Sequence, residues 1–258
     1  MIETDLIPVL QDIKKVIDFY HIKCWLDQGI LLGAVRDKAA IPHDTDVDLG
    51  IMLKDSVKVI EAVPMLKELG FEVWLHVCNL VFVKNKIVIT FLVYQDTPEN
   101  LYLNIDYPFV NRTDAKLTEK MQPIQRFYDI ACFRELQTKH ERKIDCRAYK
   151  ISRFKLVRWL IKKHTLALWK YFGGEYFGYV TPKHFYDTLD EITFYDMLWN
   201  IPSSVEDYLQ FKYGKNWRTP CGANVWDIYR DDGAIIYHDE IVKRFKSWKT
   251  CEDVWKSR

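Results

Sequence analysis

Asp44, Asp46 and Asp48 stand at alternate positions in Pro42-His-Asp-Thr-Asp-Val-Asp-Leu-Gly-Ile51, with Val47, Leu49 and Ile51 on the other parity. Side chains of an extended strand alternate between its two faces, so this run reads as a strand with one acidic face and one face in the core. Three carboxylates sharing a face repel one another and raise each other's pKa unless a cation lies among them. The cation that suits an all-oxygen set is Mg²⁺, which completes its shell with water and substrate phosphate. A solvated acidic turn is the plain alternative, and the apolar alternation weighs against it.

The residues just upstream point the same way. Lys23-Cys-Trp-Leu-Asp27 reads as a short buried strand, Gln28-Gly29 as a turn, and Ile30-Leu-Leu-Gly-Ala-Val-Arg36 as a helix. A glycine turn opening a helix presents free backbone N–H groups and the positive end of the helix dipole, where a phosphate can sit. Gly29, the backbone of Ile30, and Arg36 are the candidate phosphate-binding positions. An ordinary ion pair between Arg36 and Asp37 is an equal alternative for those two residues. A phosphate turn followed about fifteen residues later by a strand of spaced aspartates matches the architecture of the nucleotidyltransferase fold.

Trp25-Leu-Asp-Gln-Gly-Ile-Leu-Leu-Gly-Ala-Val-Arg36, followed by Ile41-Pro-His-Asp-Thr-Asp-Val-Asp-Leu-Gly-Ile51, resembles the signature of the LicD/fukutin family. Leu103-Asn-Ile-Asp106-Tyr-Pro-Phe109 resembles its later strand ending in Asp before an aromatic. Tyr208-Leu-Gln-Phe-Lys-Tyr-Gly-Lys-Asn-Trp-Arg-Thr-Pro220 resembles its tyrosine-glycine, tryptophan and proline segment. The matches run in the family's order over residues 23–220. Two positions depart from it: Ile30 stands where the family usually has threonine or serine, and His43 where an aromatic is common. Ile30 lacks a hydroxyl that could help hold a phosphate.

The resemblance implies an α+β fold, a nucleotidyltransferase-like mixed sheet flanked by helices, with a helical C-terminal extension. Residues 1–138 would form the catalytic core and 139–258 the extension packed on it. It further implies transfer of a phospho-alcohol, phosphocholine or a polyol phosphate, from a CDP-activated donor to a hydroxyl of a glycan or its lipid-linked precursor, with release of CMP. In that reading Asp44, Asp46, Asp48 and Asp106 hold one or two Mg²⁺ ions, with Mn²⁺ as the alternative metal. Asp46, Asp48 and Asp106 carry catalysis, Asp106 by orienting or deprotonating the acceptor hydroxyl. The runner-up reaction is nucleotidyl transfer from an NTP with loss of pyrophosphate, and a catalytically weakened glycan-binding protein is the non-enzymatic alternative.

A chain of 258 residues with 48% hydrophobic content can bury a sizeable core and is not a disordered protein. Its six cysteines, at 24, 78, 132, 146, 221 and 251, include no Cys-x-x-Cys pair, so neither a zinc ribbon nor a compact disulfide framework is indicated. The histidines at 76, 140, 164, 184 and 238 have no metal-ligand spacing. Met1-Ile-Glu-Thr-Asp-Leu-Ile-Pro8 lacks the basic and apolar pattern of a secretory leader, and no run of eighteen apolar residues occurs. The expected location is cytoplasmic, with peripheral attachment to the inner membrane face as an option.

That option comes from charge. Residues 139–170 hold eleven Lys or Arg against two acids, leaving 26 basic and 34 acidic residues in the rest of the chain. Arg153–Phe172 reads as an amphipathic helix with Phe154, Val157, Leu160, Ile161, Leu168 and Phe172 on one side. Lys155, Arg158, Lys162, Lys163 and Lys170 gather on the other, with Trp159 and Trp169 on or beside the basic face. A helix lying on an anionic membrane and a core-facing helix with a solvated basic face weigh evenly. Nucleic acid is discounted, since no recognition motif accompanies the charge. Elsewhere helices are expected over Leu6–Tyr20 and Asp55–Leu69, strands over Phe71–Val77, Leu80–Val83 and Ile87–Val93, and a capping box from Ser203 and Glu206. Trp74, Trp169, Trp199 and Trp217 could face a ligand, though large aromatics more often serve as core.

Overall fold

The expected alternation places Val47, Leu49 and Ile51 in the interior with no solvent exposure, on a strand spanning Asp46–Met52. The computed structural model describes residues 3–42, 44, 46–75, 79–96, 100–104, 116–117, 120–121, 134–135, 154–173, 177–220 and 235–237. Its elements begin with α1 (Glu3–Phe19), β1 (Cys24–Leu26), α2 (Gln28–Arg36), β2 (Asp46–Met52), α3 (Ser56–Glu61) and α4 (Val63–Glu68). Strands β3 (Glu72–Leu75), β4 (Asn79–Lys84), β5 (Ile87–Asp96), β6 (Asn100–Asn104) and β7 (Arg134–Glu135) follow. Then come α5 (Lys155–Tyr171), β8 (Phe177–Pro182), α6 (His184–Asp187), β9 (Leu189–Phe194), β10 (Met197–Pro202), α7 (Val205–Tyr213) and β11 (Ile235–Tyr237).

The fold is α+β. Among the described residues a mixed sheet of nine strands is built around β2 and β5. β1 runs antiparallel to β2, with Leu26 opposite Leu49 and Trp25 opposite Gly50. β5 runs parallel to β2, with Asp46 opposite Val88 and Asp48 opposite Thr90. A parallel pair needs a crossover, and the chain makes it through α3, α4 and the antiparallel strands β3 and β4. α1 packs through Leu6, Val9, Leu10, Ile13, Val16 and Ile17, all buried at helical spacing. Gly50 lets the Trp25 indole lie flat on β2, since a Cβ there would come within 2.1 Å of the ring.

Several boundaries differ from the sequence pattern, each for a local reason. The helix expected over Asp55–Leu69 is two helices, α3 and α4, because Pro64 in the first turn of α4 has no N–H to donate to the turn before it. α4 ends at Gly70, whose φ of +87 lets Phe71 N–H bond back to Leu66 O at 2.9 Å. The capping box does not form: α7 starts at Val205, and the Ser203 hydroxyl bonds the carbonyls of His184 and Phe185 instead.

Residues beyond 139 contribute strands as well as helices. β8 pairs with β6 and so enters the main sheet, while β9 and β10 form their own hairpin. Its two-residue turn, Tyr195-Asp196, has both residues left-handed, as does Asn85-Lys86 between β4 and β5. That geometry matches the twist of a hairpin, but Gly usually supplies it. Trp199 and Trp217 are buried core residues. Among the described residues no helix is long and apolar enough to cross a membrane. Asp106, His43, the side chain of Trp169, and every cysteine except buried Cys24 lie outside the described residues.

Candidate functional site

The site forms where the start of α2 meets the start of β2. A Cβ on Gly29 would lie 2.0 Å from Asp44 Oδ2, so the glycine is what allows that carboxylate to press against the first turn of the helix. Asp44 is not on the strand, as the alternation had implied. It sits in the preceding turn, its N–H bonded to Ile41 O at 3.0 Å, and reaches the site from there. Its side chain is hydrogen-bonded to that of Asp46, as two carboxylates can be when they share a proton. Burial, together with the hydrogen bond and charge of Asp44, pushes the Asp46 carboxyl up to about 6. Asp48, one pleat further in, is pushed well above the carboxylate range by burial first and then by the charges of Asp46 and Asp27.

Asp27 is the residue that the sequence pattern does not single out. β1 runs on from Leu26 so that Asp27 N–H donates to Asp48 O at 3.0 Å, which places Asp27 directly across from Asp48. Its side chain has no solvent exposure and caps α2 by accepting from Gln28 N–H at 2.7 Å. It also accepts from Tyr94 Oη at 2.5 Å, Tyr208 Oη at 2.8 Å and Lys212 Nζ at 2.5 Å. Burial alone would raise the Asp27 carboxyl, but the Lys212 charge and these hydrogen bonds overcome it and hold the group below its ordinary range. Desolvation draws the Lys212 ammonium down while Asp27 draws it up. With Tyr208 Oη a further 2.9 Å from Nζ, the pair is held as an ion pair.

Lys212 and Tyr208 come from α7, within the tyrosine-glycine segment, so that segment is structurally part of the acidic site. Tyr213, next in the chain, has its phenol pushed well above the usual range by burial and then by the charges of Asp27, Asp48 and Asp44, with Arg36 opposing. The signal for Asp27 lay in the strand-to-helix junction: an N-cap acid directly before a glycine turn is common. Its burial against a lysine 185 residues away in sequence is not readable from either segment.

The other candidates divide. Gly29 and Ile30 open α2, where the first N–H groups of a helix have no intrahelical acceptor. The Ile30 side chain itself is core. Arg36 stands at the far end of α2, about 10 Å along the axis at the usual rise per residue, in a bidentate pair with Asp37 at 2.8 and 2.7 Å. That contact holds the Asp37 carboxyl below its ordinary range. Arg36 thus lies at the opposite end of α2 from Gly29 and Ile30.

Among the described residues no three His, Cys, Asp or Glu side chains are grouped as a ready-made metal cage. The donor set nevertheless suits a hard cation: it is all oxygen and partly dehydrated, and Asp46 and Asp48 are raised by burial first and then by neighbouring carboxylates, a repulsion that a cation would relieve. Mg²⁺ in particular takes few protein ligands and keeps several waters, so a set short of a full cage is the kind it uses.

Comparison with known proteins places this geometry in context. Residues 21–131 match the family described as LicD/FKTN/FKRP, nucleotidyltransferase domain. An uncharacterized protein of Rickettsia prowazekii (strain Madrid E) is 32% identical over 100 residues, covering 39% of this chain and 37% of that protein. The ribitol 5-phosphate transferase FKRP of Homo sapiens is 42% identical over 64 residues, 23% of this chain and 13% of FKRP. The chain thus spans little more than a third of the length of the Rickettsia relative and a smaller part of FKRP.

Proposed function

We propose, from the match of residues 21–131 to the LicD/FKTN/FKRP nucleotidyltransferase domain and from the site, that the chain is a phospho-alcohol transferase of the LicD/fukutin kind. The donor is a CDP-activated alcohol such as CDP-choline or CDP-ribitol. The acceptor is a hydroxyl of a glycan or a lipid-linked glycan, and CMP is released. One observation carries the reading: the Asp44 carboxylate lies against Gly29, so oxygens that attract a cation and N–H groups that attract a phosphate share one place. The similarity to a ribitol 5-phosphate transferase supports the class of group transferred.

In this reading the acceptor oxygen bonds to the phosphorus that carries the alcohol, and the bond from that phosphorus to the CMP oxygen breaks. The N–H groups of Gly29 and Ile30 hold a phosphate oxygen, because Asp27 has already taken that of Gln28. Asp44, Asp46 and Asp48 would hold a divalent ion, Mg²⁺ or Mn²⁺, which supplies charge neutralisation along the diphosphate when bound. Asp106, whose role rests on the family resemblance, takes the acceptor proton. The Asp27–Lys212 pair fixes the helix start and keeps Asp48 beside a cation.

The family domain's own description favours one second reading, nucleotidyl transfer from an NTP. Product identity separates the two. The protein is incubated with CDP-choline, CDP-ribitol or CDP-glycerol, and separately with NTPs, each with Mg²⁺ or with EDTA. Mg²⁺-dependent CMP supports phospho-alcohol transfer, pyrophosphate supports nucleotidyl transfer, and neither product together with no divalent-ion binding leaves a binding protein.

A further inference from the structure

Helix α5 turns several of its large apolar side chains outward. Thr165 is buried, and Val157, Ile161 and Leu168 are half-buried, which fixes the inner side of the helix. At 100° per residue Leu156, Trp159, Leu160, Lys163, Ala167 and Tyr171 fall within an arc of about 120° opposite Thr165, and all six are exposed. Leu156 is 68% exposed, Trp159 54%, Leu160 50% and Tyr171 81%, and Phe154 and Phe172 are exposed at the two ends. The helical period grouped Phe154, Leu160 and Phe172 on one side with Val157, Ile161 and Leu168; in the structure the first three are exposed and the last three half-buried. A surface helix ordinarily shows water its polar side, and a run of large exposed apolar residues on one element marks an interaction surface.

The charge on this helix selects the partner. Residues 155–171 contain five Lys or Arg and no Asp or Glu, within a segment whose basic excess is the strongest in the chain. Lys163 Nζ lies 4.9 Å from the centre of the Trp159 ring, so an aromatic and a cation share the outer surface. Aromatic rings and lysines beside aliphatic side chains are the composition of a helix lying in the headgroup region, the rings at the boundary and the cations toward phosphate. With 17 residues, α5 is about 25 Å long, and its five cations exclude a spanning position. A second copy of the same face is disfavoured, because an isologous contact would bring two acid-free basic surfaces together.

We propose that the outer face of α5 is a docking surface for an anionic lipid bilayer, with Leu156, Trp159, Leu160 and Tyr171 entering the headgroup boundary and the lysines binding lipid phosphate or carboxylate. The surface is independent of the transfer reaction and needs no donor substrate.

The test is flotation of the full chain with vesicles of phosphatidylcholine alone or with about 30% phosphatidylserine. The expected result is binding to the anionic vesicles only, lost at about 0.5 M salt, where charge attraction is screened to a few ångströms. Lys155→Gln/Lys162→Gln/Lys163→Gln should reduce the partition coefficient roughly a hundredfold at low salt. Leu156→Ser/Leu160→Ser should reduce it at least about tenfold with the charge unchanged. Both altered aliphatic side chains are exposed, so the melting curve should stay that of the wild type, which checks that the fold is intact. Failure of the wild type to float with anionic vesicles overturns the proposal. So does equal flotation of the variants, or a dimer in solution that the leucine variant dissociates without any vesicle binding.

Discussion

Replacing Lys212 by methionine removes one charge from a buried pair and leaves its partner in place. The side chains are similar in length, so little cavity opens, and the effect reports the charge. Lys212 is 2% exposed and Asp27 not at all, so the carboxylate cannot recover solvation. Breaking a buried ion pair from one side costs about 3–5 kcal/mol. Here Asp27 keeps its bonds from Gln28 N–H, Tyr94 and Tyr208, which argues for the lower end, about 3 kcal/mol. At about 2–4 °C per kcal/mol for a chain of this size, the melting temperature should fall by roughly 6–12 °C. Urea unfolding of wild type, Lys212→Met, Asp27→Asn and the double variant completes the cycle. The double variant, with no bare charge, should be less destabilised than the sum of the singles by about 2 kcal/mol or more. A single variant within about 0.5 kcal/mol of wild type, or an additive cycle, would refute the reasoning.

Asp46→Asn and Asp48→Asn should abolish turnover while leaving the protein folded, because each removes an anionic oxygen at constant volume; full activity in both removes the metal reading. Gly29→Ala should lower divalent-ion affinity, measured by titration calorimetry, far more than stability, since the methyl displaces the tip of Asp44 rather than backbone. Unchanged affinity would separate Asp44 from the metal. In EDTA the protein should become more stable as pH is lowered from 7 to 5. Asp46, raised to about 6, and Asp48, raised well above the carboxylate range, have folded-state pKa values above their unfolded ones, so the stability from protonating them is complete below the ordinary carboxyl range near 4 and is lost as pH rises, through about 6 for Asp46. Saturating Mg²⁺ should flatten that dependence in a thermal melt, and a flat profile in EDTA would contradict the crowding of the carboxylates.

What could be read from the sequence was periodic or local. The two-residue alternation around Val47, Leu49 and Ile51 gave β2, and a glycine after a short apolar strand gave the turn into α2, because both depend on neighbours in the chain. The hairpin of β9 and β10 was not legible, since its left-handed turn is made by Tyr195-Asp196 without glycine. The orientation of α5 was not legible either: apolar residues occupy more than one side of the helix, and only the folded chain decides which side is covered. Asp44 was found through its strand parity, although it lies in the turn before the strand. Asp27, Tyr208 and Lys212 escaped because their meaning arises from pairing across the fold, where sequence separation carries no periodic trace.

The distance in sequence between Asp27 and Lys212 also sets an order of assembly. In a chain emerging from the ribosome, the strand bearing Asp27 is made long before the helix bearing its counter-ion, 185 residues later. Folding Trp25 and Leu26 into the interior during that interval would carry a carboxylate out of water with no ammonium to meet it, a step opposed by several kcal/mol. Until α7 arrives the start of α2 is held against that penalty, and contacts of such long range form slowly. A chain interrupted before residue 212 would hold the aspartates without the lysine that offsets their burial.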